Sequence, residues 1–535
     1  MLSRLHSGAL VGVDAVVVTV EVDMSLGLPF FNLVGLPEGA AKESRVRVIA
    51  ALKNSGYELP QKRITVNLAP AEIRKDGAAF ELPIAVGLLS SAGIVREETL
   101  SHFLYGGELS LDGRVKAMRG ALSMAIAAKA KGFLGVIVPA ANAQEAAMVE
   151  GIDVIPVNHL REVVAHLAGT EVIAPVRENP ASRAGAGREG QLDMSDVRGQ
   201  SEVKAAIELA AAGGHNLLMC GPPGSGKSML ARRIPGILPP MTTEESLEVT
   251  KVYSVLGLLP ESMSKLAERP FRSPHHSISD AGLTGGGPNA RPGELSLAHR
   301  GVLFLDELPE FRRNVLEVLR QPLEEGLIRL ARANQNVVYP AKVMLVAAMN
   351  PCPCGYHGVH GRVCRCPKSR VDQYLGRISG PLLDRIDITL ETRAVDLKLL
   401  GAGSSDERPS SWYRARIDGA QKRQRERFRD DPGVFSNAQM STKQVHLHCR
   451  PSARARKDLE RAVERYGLSA RAYDRILKIA LTRADLEGHQ GIEDIDLRFA
   501  IGCRVLDRKS WLTRSDTAPS PFEPAQVASI TGGIQ

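Results

Sequence analysis

Eight consecutive residues, Gly221-Pro222-Pro223-Gly224-Ser225-Gly226-Lys227-Ser228, have the types and spacing of a phosphate cradle. In the pattern GxxxxGK[ST] the glycines let backbone N–H groups curl around phosphate oxygens, Lys227 neutralises the β and γ oxygens, and Ser228 ligates Mg²⁺. The apolar run Asn216–Cys220 before it and the helical stretch Met229–Arg233 after it supply the strand-loop-helix setting the pattern requires. A second element fits the first. Gly301-Val-Leu-Phe-Leu-Asp306-Glu307 reads as a buried strand ending in two acids, Asp306 to hold the Mg²⁺ through water and Glu307 to polarise an attacking water. A third apolar strand, Val343–Met349, ends in Asn350, placed to position the same water. In Pro381-Leu-Leu-Asp384-Arg385-Ile-Asp387 an arginine follows an apolar helix. Alone, Arg385 is a surface salt-bridge partner; in this order of elements it is a candidate arginine finger completing a neighbour's site in an oligomer.

Cys352, Cys354, Cys364 and Cys366 form C-x-C-x9-C-x-C, with His357 and His360 between them. Four thiolates close a tetrahedral Zn²⁺ site, and Gly355, Gly358 and Gly361 let the chain turn back. The expected ion is structural, because four protein ligands leave no position open for water. Free thiols in a loop and a redox-labile pair are the alternatives. Cys220, Cys449 and Cys503 read as isolated buried thiols.

These residues need several domains to hold them, and 535 residues with 44% hydrophobic content allow three or four. Residues 1–168 alternate β-branched runs (Ala15–Val22, Arg63–Asn67, Gly135–Pro139, Val154–Val157) with Ala-rich helical stretches (Gly39–Ser55, Leu82–Ala92, Ala121–Lys131), which predicts an α/β or α+β domain. Residues 169–192 lack periodicity and read as a linker. An α/β domain over 193–395 carries the phosphate cradle, 396–431 is a basic connecting segment, 432–510 is helical, and 511–535 is a flexible tail. With 12 Phe, 9 Tyr and 2 Trp, the cores rest on aliphatic side chains, and few rings are available for the serial stacking platforms of single-strand binders. No run reaches the roughly 18 apolar residues of a membrane span. The stretch Ala9–Val22 carries Asp14 and Glu21 and reads as strand rather than signal peptide. A cytoplasmic protein is expected, with seven cysteines suited to a reducing compartment. The net charge of +8 is local: Arg408 to Arg483 holds 19 Lys plus Arg against 8 Asp plus Glu. Within it, Gln421-Lys-Arg-Gln-Arg-Glu-Arg427 is expected to meet phosphate backbones.

The ordered cradle, acidic strand, Asn350 and Arg385 resemble the AAA+ ATPase plan. That resemblance implies that Val197, in Asp196-Val-Arg-Gly-Gln200, packs on the adenine of ATP. It also implies that Arg471, in Leu468-Ser-Ala-Arg471, is a second sensor reaching the γ-phosphate, with Arg475 one turn on as the alternative. Gly214-His-Asn216, Pro270–Asp280, Gly285–Arg300, Leu305–Phe311 and Met349-Asn-Pro-Cys-Pro-Cys-Gly355 closely resemble the magnesium-chelatase-like ATPases of the ComM/YifB family, over almost the whole chain. The resemblance implies a homo-hexameric ATP-driven motor. ComM members are branch-migration helicases that extend integration of incoming single-stranded DNA in natural transformation, which makes recombination proteins candidate partners. Related chelatase ATPases remodel a metal-inserting protein but lack the N-terminal domain.

Residues 76–93 and 106–139 resemble the proteolytic domain of Lon, an S5-type α+β fold. Aligning Asp76-Gly77 puts Ala79 where that family has its nucleophilic Ser; aligning Gly120 and Gly132 puts Leu122 where it has its Lys base. Without an activated hydroxyl and an amine, acyl transfer cannot start. Ser90, Ser91 and Lys116 sit too far along the chain to substitute. The fold expected is therefore a multidomain α/β chain: a Lon-protease-like front domain lacking its dyad, an AAA+ core on a parallel sheet, and a C-terminal helical lid.

Two insertions are placed to touch DNA. One, Arg269–Arg300, carries Arg272, His275, His276 and Arg291. The other reads as strands Leu327–Leu330 and Val337–Tyr339 joined by the polar turn 331–336, whose Arg332, Asn334 and Gln335 would hold phosphates as ATP turnover moves the tip. A chelatase-type remodeller and a Lon-like protease are the competing readings.

Overall fold

Alternate β-branched residues build the front sheet. Along Asp14–Ser25 the side chains of Val18, Val20, Val22 and Met24 are buried while their neighbours are half-buried, the period of two that one packed face demands. The computed structural model describes residues 2–73, 75, 78–177, 192–259, 266–287, 290–332, 335–359, 361–393, 407–431, 433–466 and 468–504. Seven strands lie in the order Phe30–Val34, Arg63–Ala69, Asp14–Ser25, Leu2–Val11, Phe103–Tyr105, Gly135–Pro139, Asp153–Val157. The apolar stretch read as one strand is a hairpin: Leu2–Val11 pairs antiparallel with Asp14–Ser25, Val11 opposite Asp14. Gly12 turns it at φ +67°, a conformation glycine takes without steric cost. One face of the sheet carries Glu38–Asn54 and the wholly buried Glu81–Ser91; the other carries Ala121–Lys131.

The second sheet is all parallel, in the order Phe271–Arg272, Val302–Leu305, Met344–Met349, Leu217–Cys220, Ile388–Glu391. Every residue of its three central strands is buried, as parallel strands covered on both faces require. On one face Leu217, Val346 and Ile388 share a core with the helix Ser201–Gly213 and with Tyr413, Ile417, Ile476 and Leu481. The C-terminal helices therefore pack into this parallel sheet rather than around a core of their own. The other face, with Leu218, Leu303 and Leu345, takes in Ile328 and Tyr339 and one residue of the front domain, Val13.

The segment 396–431, expected as a connector, contains the 18-residue helix Ser410–Arg427, which buries Tyr413, Ile417, Ala420 and Gln424. Its polarity hides its role because its charges are paired: Arg416 donates to Glu208 at 2.7 Å, and Trp412 is sandwiched by Arg408 and Arg416, 4.0 and 5.0 Å from the ring centre. The basic run 421–427 is only partly free for phosphate. Arg427 holds the buried Asp485 carboxylate and Asn437, and Arg423 donates to the Asp485 carbonyl, leaving Lys422 and Arg425 facing solvent. The linker residues 178–191 and everything from 505 onward, the expected tail included, lie outside the described residues. No helix among the described residues is long and apolar enough to cross a membrane.

Candidate nucleotide-binding site

The phosphate loop leaves the strand Leu217–Cys220 and enters the helix Lys227–Ala231 through two glycines in the left-handed region, Gly224 at φ +76° and Gly226 at φ +83°. No heavy atom stands within 4 Å of where a Cβ would project from either, so the cradle is open. Lys227 is buried and donates to the carbonyls of Gly221 at 2.7 Å and Pro222 at 2.9 Å, and to Asn350 Oδ1 at 3.3 Å. Burial pushes its ammonium below the ordinary lysine range, with the charge of Asp306 opposing that shift. Ser228 Oγ donates to Asp306 Oδ2 at 2.6 Å, bringing together two hard oxygen donors of the kind Mg²⁺ takes. Asp306 also accepts the Glu307 N–H at 2.9 Å. Lys227 with Asn350 and its neighbour Ser228 with Asp306 thus form two bonded pairs side by side, drawn from three adjacent strand ends.

Glu307 sits at φ +53°, a left-handed conformation rare for a non-glycine residue and often found where backbone strain serves a site. Its carboxylate meets His276 Nδ1 at 3.5 Å, and His276 stacks on His275 with ring centres 4.0 Å apart. Residues of the histidine-bearing insertion therefore reach the acid expected to polarise water, a contact between positions 31 apart that no local pattern signals. Gln200 is a second residue missed. Held at φ +57°, it donates to the carbonyls of Ser225 at 3.3 Å and Arg393 at 2.7 Å, tying the phosphate loop to the end of the ATPase strand order. Val197 is buried in the core, and its carbonyl accepts from Lys204.

The two arginines go elsewhere. Arg385 donates to the carbonyls of Arg320 at 3.0 Å and Pro381 at 2.8 Å and pairs with Glu324. Arg471, exposed, lies 3.7 Å from Asp384, the neighbour of Arg385, while Arg475 faces Asp387 at 3.4 Å. Arg385, expected to complete a neighbour's site, and Arg471, expected to reach the γ-phosphate of its own, are brought to a single segment, 384–387. Among the described residues neither Arg385 nor Arg471 bonds to the loop 221–228.

Three family descriptions match successive parts of the chain: subunit ChlI of Mg-chelatase over residues 20–142, magnesium chelatase subunit ChlI over 193–400, and the ChlI C-terminal region over 407–504. The chain is 42% identical to YifB of Escherichia coli over 509 residues, 95% of this chain and 98% of the relative. It is 41% identical to the competence protein ComM of Haemophilus influenzae over 512 residues, again 95% and 98%. The chain belongs to the ComM/YifB family of magnesium-chelatase-like proteins. A shorter likeness, 26% identity over 171 residues, is to the archaeal Lon protease of Methanocaldococcus jannaschii and covers 30% of this chain and 26% of that protein.

In this ComM/YifB-family chain the hairpin is longer than expected, its strands Leu327–Arg332 and Gln335–Pro340 paired out to Arg332 opposite Gln335. Asn334 lies outside the described residues. The hairpin base is fixed: Val337 and Tyr339 are buried, and Tyr339 donates to the Ala290 carbonyl at 2.5 Å. The neighbouring insertion offers less free charge than its sequence implied, because Arg272 makes a two-pronged pair with Glu294 at 2.6 and 2.7 Å. Between hairpin and front domain runs a cleft of about 700 Å³ lined by Leu10, Ala79, Met118, Arg119, Arg291 and Val337. Leu122 is fully buried beside it. Of the two residues used for the Lon alignment, Asp76 and Gly77, nothing is described. Of the two hydroxyls weighed as substitutes, Ser90 is buried and Ser91 bonds to Ser3 and donates to the Val22 carbonyl, while Lys116 is exposed.

Proposed function

We propose that this protein is an ATP-hydrolysing AAA+ motor that assembles as a homo-hexamer and drives branch migration of DNA during recombination of incoming strands. Support for the ATPase step is the two bonded pairs at strand ends. Mg²⁺ held by Ser228 and, through water, by Asp306 would neutralise the developing phosphate charge. Lys227 binds the β and γ oxygens, Glu307 takes up the proton of the attacking water, and Asn350 orients that water. Support for assembly is the observation that carries the reading: Arg385 bonds to Arg320, Pro381 and Glu324 and not to the phosphate loop among the described residues, which leaves it to complete a neighbour's site. The likeness to the competence protein ComM supports DNA as the substrate. The end of the hairpin, where Arg332 pairs with Gln335, and the exposed Lys422 and Arg425 are the places proposed to meet its phosphates. Peptide hydrolysis in the front domain is not part of this reading, since Ala79 and Leu122 supply neither nucleophile nor base.

The test is a synthetic three- or four-strand DNA junction incubated with purified protein, ATP and Mg²⁺, together with electron microscopy of the ATP-bound assembly. Strand exchange that needs ATP, and hydrolysis that rises with DNA, are the expected results. Hydrolysis indifferent to DNA, with no strand moved, would sink the helicase reading and favour a chelatase-type motor acting on a protein. Casein left intact is expected throughout.

A further inference from the structure

The four cysteines 352, 354, 364 and 366 converge directly behind the phosphate loop. Their sulfur atoms all lie within 4.8 Å of one another, with Cys352 to Cys354 at 3.3 Å, Cys352 to Cys364 at 3.7 Å and Cys354 to Cys364 at 3.6 Å. A disulfide requires about 2.05 Å. Four thiolates at about 2.3 Å from a tetrahedral Zn²⁺ stand about 3.8 Å apart, close to what is found. The backbone N–H of His357 donates to Cys352 Sγ at 3.3 Å, the kind of contact that orients a thiolate ligand.

Three links join this knot to the nucleotide site. Cys352 is fully buried and follows Asn350 by two residues, and Asn350 Oδ1 accepts from Lys227. Gly355, at φ +84°, packs so closely on the loop that a Cβ there would come within 2.5 Å of Pro223 Cδ. His357, Gly358 and Val359 line a small cleft together with Cys220, Gly221 and Pro222. The knot is thus one wall of the phosphate cradle and the anchor of its Asn350.

We infer that Cys352, Cys354, Cys364 and Cys366 bind one structural Zn²⁺, and that this ion clamps the phosphate loop and Asn350 in the geometry that holds nucleotide. The coupling half of this inference rests on the ATPase reading above; the metal half does not. A closed set of four protein ligands gives the ion no hydrolytic role, so its effect is exerted through backbone placement alone.

Zinc content and nucleotide affinity, measured separately on the full-length chain, test the two halves. Wild-type protein is expected to carry one zinc per chain by atomic emission and to bind mant-ATP. The double variant Cys364→Ser/Cys366→Ser should lose the zinc and bind mant-ATP about tenfold more weakly, the scale on which support around a site acts. Gly355→Ala should keep the zinc and still bind mant-ATP more weakly, because its methyl displaces Pro223. Wild-type protein purified from zinc-supplemented cells and found free of zinc would overturn the metal site. A zinc-free double variant with native circular dichroism and unchanged mant-ATP affinity would overturn the clamp. If the double variant fails to fold, Gly355→Ala decides the clamp, and unchanged affinity there counts against it. Zinc present with no mant-ATP binding by the wild type would instead remove the ATPase reading, and the coupling with it.

Discussion

Lys227 and Leu122 occupy matching places in the two halves of the molecule. Each lies in the first turn of a helix that follows a left-handed glycine, Gly226 at φ +83° in one case and Gly120 at φ +73° in the other. The backbone device is the same, but the surroundings are not. Around Lys227 the chain presents carbonyls, Asn350 Oδ1 and the Ser228–Asp306 pair, so a buried cation is satisfied and aimed at an open cradle. Around Leu122 the core is Leu104, Met124 and Val138, which would leave an ammonium without partners. The same glycine-and-helix start carries a polar site in one half and an apolar core in the other, so chemistry must be read from side chains and their partners.

The contrast can be broken or sharpened by substitution. Lys227→Ala should have the largest effect. Loss of a charge-assisted contact worth about 3 kcal/mol weakens nucleotide binding about a hundredfold and ends turnover, whereas Glu307→Gln should leave binding intact and stop turnover. Equilibrium binding and phosphate release separate the two, and normal turnover by Glu307→Gln would remove that residue from its role. Arg385→Ala should lower turnover about a thousandfold with little change in nucleotide affinity, as arginine fingers do. Mixing it with Lys227→Ala subunits should restore part of the activity, since each supplies what the other lacks; no recovery would place the finger elsewhere. Leu122→Lys transplants the cation without its partners. It should destabilise the front domain by about 2 to 4 kcal/mol in urea unfolding and confer no casein cleavage even when combined with Ala79→Ser. The smallest effect is with pH. Because burial lowers the Lys227 pKa, its charge is lost as pH rises through that lowered value, earlier than for an ordinary lysine. Nucleotide affinity should therefore begin to fall at a lower pH than it would with an ordinary lysine, and Lys227→Arg should flatten the profile if it retains binding.

The phosphate cluster was legible because its first eight residues are contiguous and its acids end a strand whose every residue is apolar. The same logic located most of the front-domain strands. It missed the Leu2–Ser25 hairpin, whose first strand buries Ser3 and Ser7 beside Leu5 and Ala9 and whose turn is Gly12-Val13 rather than an Asn-Gly or Asp-Gly pair. It misread Ser410–Arg427 as a connector because a helix can be buried through Arg416–Glu208 and Arg427–Asp485 pairs as well as through an apolar stripe. The lid arginines were beyond its reach: which carboxylate Arg471 meets depends on how the C-terminal helices seat on the sheet, and nothing local encodes that. The His276 contact with Glu307 is long-range in the same sense.

The hairpin Leu327–Pro340 is a cantilever. Val337 is seated against Gly12 of the front domain, and Tyr339 is pinned to the Ala290 carbonyl, while Arg332 and Gln335 stand at the far end of the paired strands. A transverse load on that tip is therefore borne at the root, where the front domain meets the parallel-sheet core, and stiffening or softening the Gly12–Val337 seat would change how far the tip deflects.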